Sequence, residues 1–240
     1  MTRQELISEI RSFCRDNANE ANIQKYSRYF KEGNYNAYGL TSIQMESISK
    51  DLLRRPGISL SMILDTAPCL IQSPKHEEAQ IVMLLVRALH RQFYPEAFRS
   101  IENWFSVGIT NWAQADLLAT GIIPPFLDNK IIAIQDLKSW LTSANRFQRR
   151  CVPVSLIKSL KTHPHFPELF NFIECLMTDP EREVHQGTGW FLREAWKKNP
   201  AATEEFLLKW KNVSPRLIFQ YATEKMTPEQ KLKFKKENKH

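Results

Sequence analysis

Four dipeptides, Asp179-Pro180, Asn199-Pro200, Ser214-Pro215 and Thr227-Pro228, punctuate the C-terminal part of this chain. Each puts a side-chain oxygen able to cap a helix just before a proline, a residue suited to the first helical position. Four consecutive helix starts are therefore expected, and Gln230, three residues after Thr227, completes a capping box at the last. Between such marks the apolar residues recur at spacings of three and four: Ile81, Leu84, Leu85 and Leu89 form one stripe, Phe206, Leu207 and Trp210 another. These are amphipathic helices that need neighbours. Seven glycines in 240 residues are few for a sheet-containing chain, and no alternating apolar–polar run is long enough to make a strand. The chain reads as all-α.

The pattern predicts helices near 2–18, 42–54, 58–66, 74–91, 94–106, 110–120, 129–144, 146–161, 166–177, 180–198, 200–211, 214–225 and 227–236, and a loop over Lys31 to Leu40, KEGNYNAYGL. Their lengths and short connections suit stacked helical pairs. Successive pairs share little identity, so the expected repeat is architectural, of the HEAT-like kind, building a curved α-α superhelix with a concave basic face. Residues 1–226 are expected to form one such domain, and 227–240 a C-terminal helix and basic tail.

With 42% hydrophobic and 25% charged residues, the chain has enough apolar surface for a core. No run approaches the ~18 apolar residues of a membrane span, and the opening MTRQELISEI is charged where a signal peptide needs an apolar stretch, so a cytoplasmic location is expected. Cys14, Cys69, Cys151 and Cys175 share no CxxC spacing; they are expected to be reduced and mostly buried. His163 and His165 stand two apart beside prolines with no further ligand at a recognisable spacing, so no metal is expected. Neither a GxSxG elbow nor a phosphate-cradling glycine loop is present, and no cofactor is expected. The net charge of +7 favours polyanions, although part of it lies in the final KLKFKKENKH.

Three segments could carry chemistry. ITNWAQADLLA puts Trp112 and Asp116 four apart, on one face of a helix. A carboxylate beside an aromatic wall can stabilise an oxocarbenium-like sugar and hold an attacking water; the alternative is a core tryptophan next to a surface aspartate. NRFQRRC offers Arg149 and Arg150, whose guanidinium forks suit phosphate oxygens, or else form a solvated face. GTGWFLREAWKKNP carries Trp190 and Trp196 in one helix, with Gly187 and Gly189 leaving room for close backbone approach. Either tryptophan could be core.

In this order the three segments resemble the AlkD-type DNA alkylation repair glycosylases, a bacterial family of HEAT-like repeats, and the likeness spans most of the chain. YSRYFKEGNYNAYGL resembles the family's N-terminal segment, and KHEEAQ, around His76 to Gln80, its HxE-type helix start. Trp112 and Asp116 match its tryptophan and catalytic aspartate, Arg150 its arginine, and Trp190 the tryptophan of GWxLRE, the most specific of these motifs. The resemblance implies a monomeric enzyme that binds double-stranded DNA and excises cationic N3- or N7-alkylated purines. Trp112 and Trp190 would line the cleft, Asp116 would stabilise the sugar cation, and Arg150, with Arg149 beside it, would bind phosphate. Such bases leave without protonation and need not be flipped, unlike in most glycosylases. Pro153 departs from the family pattern, since a proline inside a helix removes a backbone bond. Two readings compete: a non-catalytic HEAT-like DNA- or protein-binding scaffold, and a branched-DNA binder that would not need Asp116.

Overall fold

The structure, a computed structural model, describes residues 1–30, 35–162 and 165–237. Every regular element among the described residues is helical. The chain forms two compact units, Met1–Thr110 and Asn111–His240.

The first unit holds α1 (Arg3–Asp16), α2 (Glu20–Ser27), α3 (Ser42–Leu53), α4 (Leu60–Ile71), α5 (His76–Ala88) and α6 (Pro95–Val107). Helix α5 packs against α1, α3 and α4. This explains why Ile81 to Val86 is buried without a break, since a helix enclosed on all sides is apolar all round. Thr2 with Glu5, and Thr41 with Gln44, form capping boxes at α1 and α3. Helix α2 has no counterpart among the sequence-based expectations because it buries no residue and so has no apolar stripe. It is marked only by its Asn19 cap, which accepts from the Asn22 amide at 3.0 Å.

Of the expected loop, residues 31–34 lie outside the described residues, and 35–40 have no regular structure. Two acids at the start of α5 hold that segment. Glu77, fully buried, accepts from the backbone amides of Tyr38 (2.9 Å), Gly39 (2.7 Å) and Leu40 (3.1 Å). Glu78 accepts from the Tyr38 hydroxyl at 3.0 Å and from Arg11 Nε at 2.9 Å. Gly39 sits at φ +85°, and a Cβ there would lie 2.1 Å from the Asn19 carbonyl oxygen, so both conformation and space require glycine.

The second unit holds α7 (Trp112–Leu117), a π turn (Leu118–Ile122), α8 (Ile123–Asp128), a 3-10 helix (Ile134–Thr142), α9 (Arg146–Ser155), α10 (Phe166–Ile173), α11 (Arg182–Trp196), α12 (Pro200–Trp210), α13 (Arg216–Ala222) and α14 (Pro228–Leu232). Helix α11 is its hub, packed on α9, α12 and α13. Two of the four expected cap–proline starts occur as read: Asn199 caps α12 and Thr227 closes its box with Gln230. The other two helices begin past the proline, at Arg182 and Arg216, without a side-chain cap. The helix expected over 110–120 extends to Asp128, because Pro124 and Pro125 fall in the first turn of α8, where their missing N–H groups cost nothing. The helix expected over 129–144 is instead a 3-10 segment that follows Lys130 in a left-handed conformation (φ 56°). Cys14 and Cys151 are buried while Cys69 and Cys175 are exposed, which corrects the expectation that most are buried. No helix among the described residues is long and apolar enough to cross a membrane.

Truncating Glu77 would leave three amide donors without their charged acceptor. Glu77→Ala is expected to destabilise the chain by about 3 kcal/mol, read as a lower urea midpoint at unchanged slope.

Candidate active site

Helix α7 is short and starts at a defined place: Asn111 Oδ1 accepts from the Gln114 amide at 3.0 Å, which makes Trp112 the first helical residue. Asp116 follows one turn later on the same face. Trp112 is 37% exposed, against 1% for the core residue Trp104. The π turn begins just beyond Asp116, and the Thr120 hydroxyl donates to the Asp116 carbonyl at 2.6 Å. Such turns are frequent at functional positions.

Arg150 comes to Asp116 from α9. Its Nε donates to Oδ1 and its Nη2 to Oδ2, both at 2.8 Å, a parallel two-bond fork. Its Nη1 donates to the Glu183 backbone carbonyl on α11 at 2.7 Å. The arginine side chain is 7% exposed and the aspartate 18%. Three of the roughly five guanidinium donors are thus committed within the protein, two of them to the acid. Helix α9 runs unbroken from Arg146 to Ser155 with Pro153 inside it.

The neighbouring arginine is used differently. Arg149 donates through Nε and Nη2 to the Asp179 carboxylate (2.6 and 3.1 Å) and through Nη1 to the Ser143 carbonyl (2.6 Å). Arg146 lies 3.4 Å from Glu181 and 3.2 Å from Glu183. The segment read as a possible solvated face is instead stitched to the start of α11. These acids sit near a helix N-terminus, where negative charge is favoured. Asp179 was legible only as a cap, and the Glu183 carbonyl is a backbone group with no sequence signal at all.

Trp190 lies on α11, three residues after Gly187 and seven after Glu183, hence on the face that Arg150 crosses. It is partly exposed. A Cβ on Gly187 would lie 3.0 Å from Arg150 Cγ, and one on Gly189 would lie 2.5 Å from Tyr221 Cβ. The two glycines therefore admit α9 and α13 respectively, the close approach their place in the sequence suggested. Trp196 has a structural task, its Nε1 donating to Glu204 on α12 at 3.1 Å. Asp116 and Arg150 are thus joined directly. Trp112 shares a helix face with the acid, Trp190 shares one with the carbonyl that holds the arginine, and Arg149 turns away to Asp179.

Burial pushes the Cys151 thiol, next to Arg150, up to about 12, so it is not a nucleophile at neutral pH. No group of three His, Cys, Asp or Glu side chains among the described residues could hold a metal; His163 lies outside the described residues. An open groove of about 980 Å³, lined by Lys138, Phe172 and Trp210 among others, includes none of the five candidate site residues.

An all-helical repeat protein with an acid locked by an arginine and tryptophans on the adjoining helix faces is the class this geometry defines. The profile of the DNA alkylation repair enzyme family matches residues 10–226, and the chain belongs to that family. Its fold is similar to that of a predicted DNA alkylation repair enzyme from Enterococcus faecalis (TM-score 0.74, 17% identity, covering 88% of this chain and 97% of that one). It is also similar to AlkD2 from Streptococcus mutans (TM-score 0.59, 20% identity, 87% and 99% covered). No curated protein sequence matches closely enough to count as a relative.

Removing the acid would strand a buried guanidinium. Asp116→Ala is expected to cost about 3 kcal/mol in chemical denaturation. Glu181→Ala, which breaks a pair with both side chains 38% exposed, is expected to cost under ~1 kcal/mol. Equal costs for the two variants would deny the Asp116–Arg150 pair its special standing.

Proposed function

We propose that the protein is a DNA glycosylase that hydrolyses the N-glycosidic bond of cationic N3- or N7-alkylated purines, such as 3-methyladenine and 7-methylguanine, in duplex DNA. The observation that carries this reading is the Asp116 carboxylate, gripped on both oxygens by Arg150 and set one turn from a partly exposed indole. Family membership supports an alkylation-repair role.

In the proposed reaction the C1′–N bond breaks and its electron pair goes to the base. That base is already cationic, so it leaves neutral and needs no general acid. Positive charge then develops on the sugar. A fixed carboxylate stabilises it without reorganising during the reaction, and each of its oxygens keeps a lone pair for orienting water beside the bond to Arg150. Water adds to C1′ and releases its second proton to solvent. Trp112 and Trp190 would offer their ring faces to the developing cation and to the lesion. Arg150 fixes the rotamer of the acid, and its remaining donors would meet a phosphate at the rim of the site; Arg149 supports it by tying α9 to Asp179. The net charge of +7 would favour association with the duplex.

The ion pair also lends weight to a second reading, because an acid held so firmly can serve structure alone. In that case the chain is a DNA-binding scaffold without chemistry. Single-turnover release of free base from duplex DNA carrying 7-methylguanine, repeated with 3-methyladenine, separates the two. The natural protein is expected to release base, and Asp116→Asn, checked for folding and bound fraction, to do so at least tenfold more slowly, about 1.4 kcal/mol of barrier. Saturated binding without release would establish the scaffold.

A further inference from the structure

The mechanism above needs Arg150 at one place, and nothing in Asp116 itself determines that place. Arg150 reaches across α11. Its Nη1 meets the Glu183 carbonyl, and one turn further along the same helix its stem passes over Gly187. A Cβ built on Gly187 would stand 3.0 Å from Arg150 Cγ, 3.3 Å from the Arg150 carbonyl oxygen and 3.3 Å from Val154 Cγ2. The missing side chain at 187 is therefore the trough in which the arginine lies. Glycine inside a helix is otherwise a poor choice, because alanine is the better helix former at an unstrained position. The φ of Gly187 is not in the left-handed region that would require glycine. Contact, and not backbone conformation, accounts for it.

We infer that Gly187 is a positioning residue: it sets the height of the Arg150 stem above α11 and, through the guanidinium fork, the orientation of Asp116. The catalytic consequence rests on the glycosylase reading, while the structural coupling does not. Gly189, two residues on, is an internal control. It faces Tyr221 and Ile218 on α13, with a would-be Cβ 2.5 and 2.7 Å away, so its substitution disturbs a helix contact of the same kind without touching Arg150.

The test compares Gly187→Ala, Gly189→Ala, Arg150→Ala and the Gly187→Ala/Arg150→Ala double variant with the natural protein. One readout is the NMR signal of the Arg150 Nε–H, which its bond to Asp116 keeps sharp and slow to exchange. The other is single-turnover base release at saturating duplex. Gly187→Ala is expected to broaden or shift that signal and to slow release at least tenfold with less than threefold loss of DNA affinity. Gly189→Ala should lower the unfolding temperature yet leave the Arg150 signal in place. Adding Gly187→Ala to Arg150→Ala should slow release by less than twofold further, since the contact it disturbs is already gone. If Gly187→Ala alone does not fold, the double variant is expected to fold as well as Arg150→Ala, because the closest contact, at Arg150 Cγ, goes with the side chain and only the two at 3.3 Å remain; a double variant that fails where Arg150→Ala folds overturns the inference. An unchanged Arg150 signal in folded Gly187→Ala overturns it too, as does an equal loss of rate in both backgrounds. If the natural protein releases no base at all, the glycosylase reading fails, and the NMR comparison still decides the role of Gly187.

Discussion

A guanidinium shared among three helices is the interaction on which the second unit depends. Arg150 leaves α9, closes a two-bond fork on Asp116 of α7 and bonds the backbone of α11 through Nη1. Taking two charges out of water is costly, and their attraction offsets that cost only when geometry is good and the remaining donors are satisfied. Here the fork is parallel and the third bond goes to a carbonyl. Removing any one of the three contacts would leave a buried charge partly unanswered. The pair thus fixes where α7 lies against α9 and holds the one acid that shares a face with the exposed Trp112.

The first unit uses a buried acid to a different end. Glu77 spends its carboxylate on three consecutive backbone amides and is fully buried, so it holds a segment in place and has no access to a ligand. Asp116 is clamped by a side chain and keeps an exposed fraction. Two acids, each an anchor in its unit, differ in what a ligand can reach: Glu77 is fully buried, and Asp116 keeps part of its surface open.

Much of this was legible in the sequence, for reasons that can be named. Helices with a buried stripe, such as α5 and α12, were visible through their spacing. Helix α2 was not, because it buries nothing. The helix expected over 110–120 stops short of Pro124 and Pro125, which in the structure occupy the first turn of α8, the part of a helix that tolerates proline. Trp112 and Asp116 could be paired because four residues make one turn. The partners of Arg150 and Arg149 could not be, since Asp116 and Asp179 are 34 and 30 residues distant in the chain and the ion pairs arise only once α7, α9 and α11 have packed. The two glycines of α11 announced close approach without saying to what. One admits an arginine stem and the other a helix.

The claim that Asp116 and Arg150 act as one group is tested most directly by a double-mutant cycle on unfolding free energy with Asp116→Asn, Arg150→Met and the double variant. A coupling of at least ~1.5 kcal/mol is expected, with the double variant less destabilised than the sum of the single ones. Additive costs would contradict it, and would mean that the acid and the arginine hold their places independently.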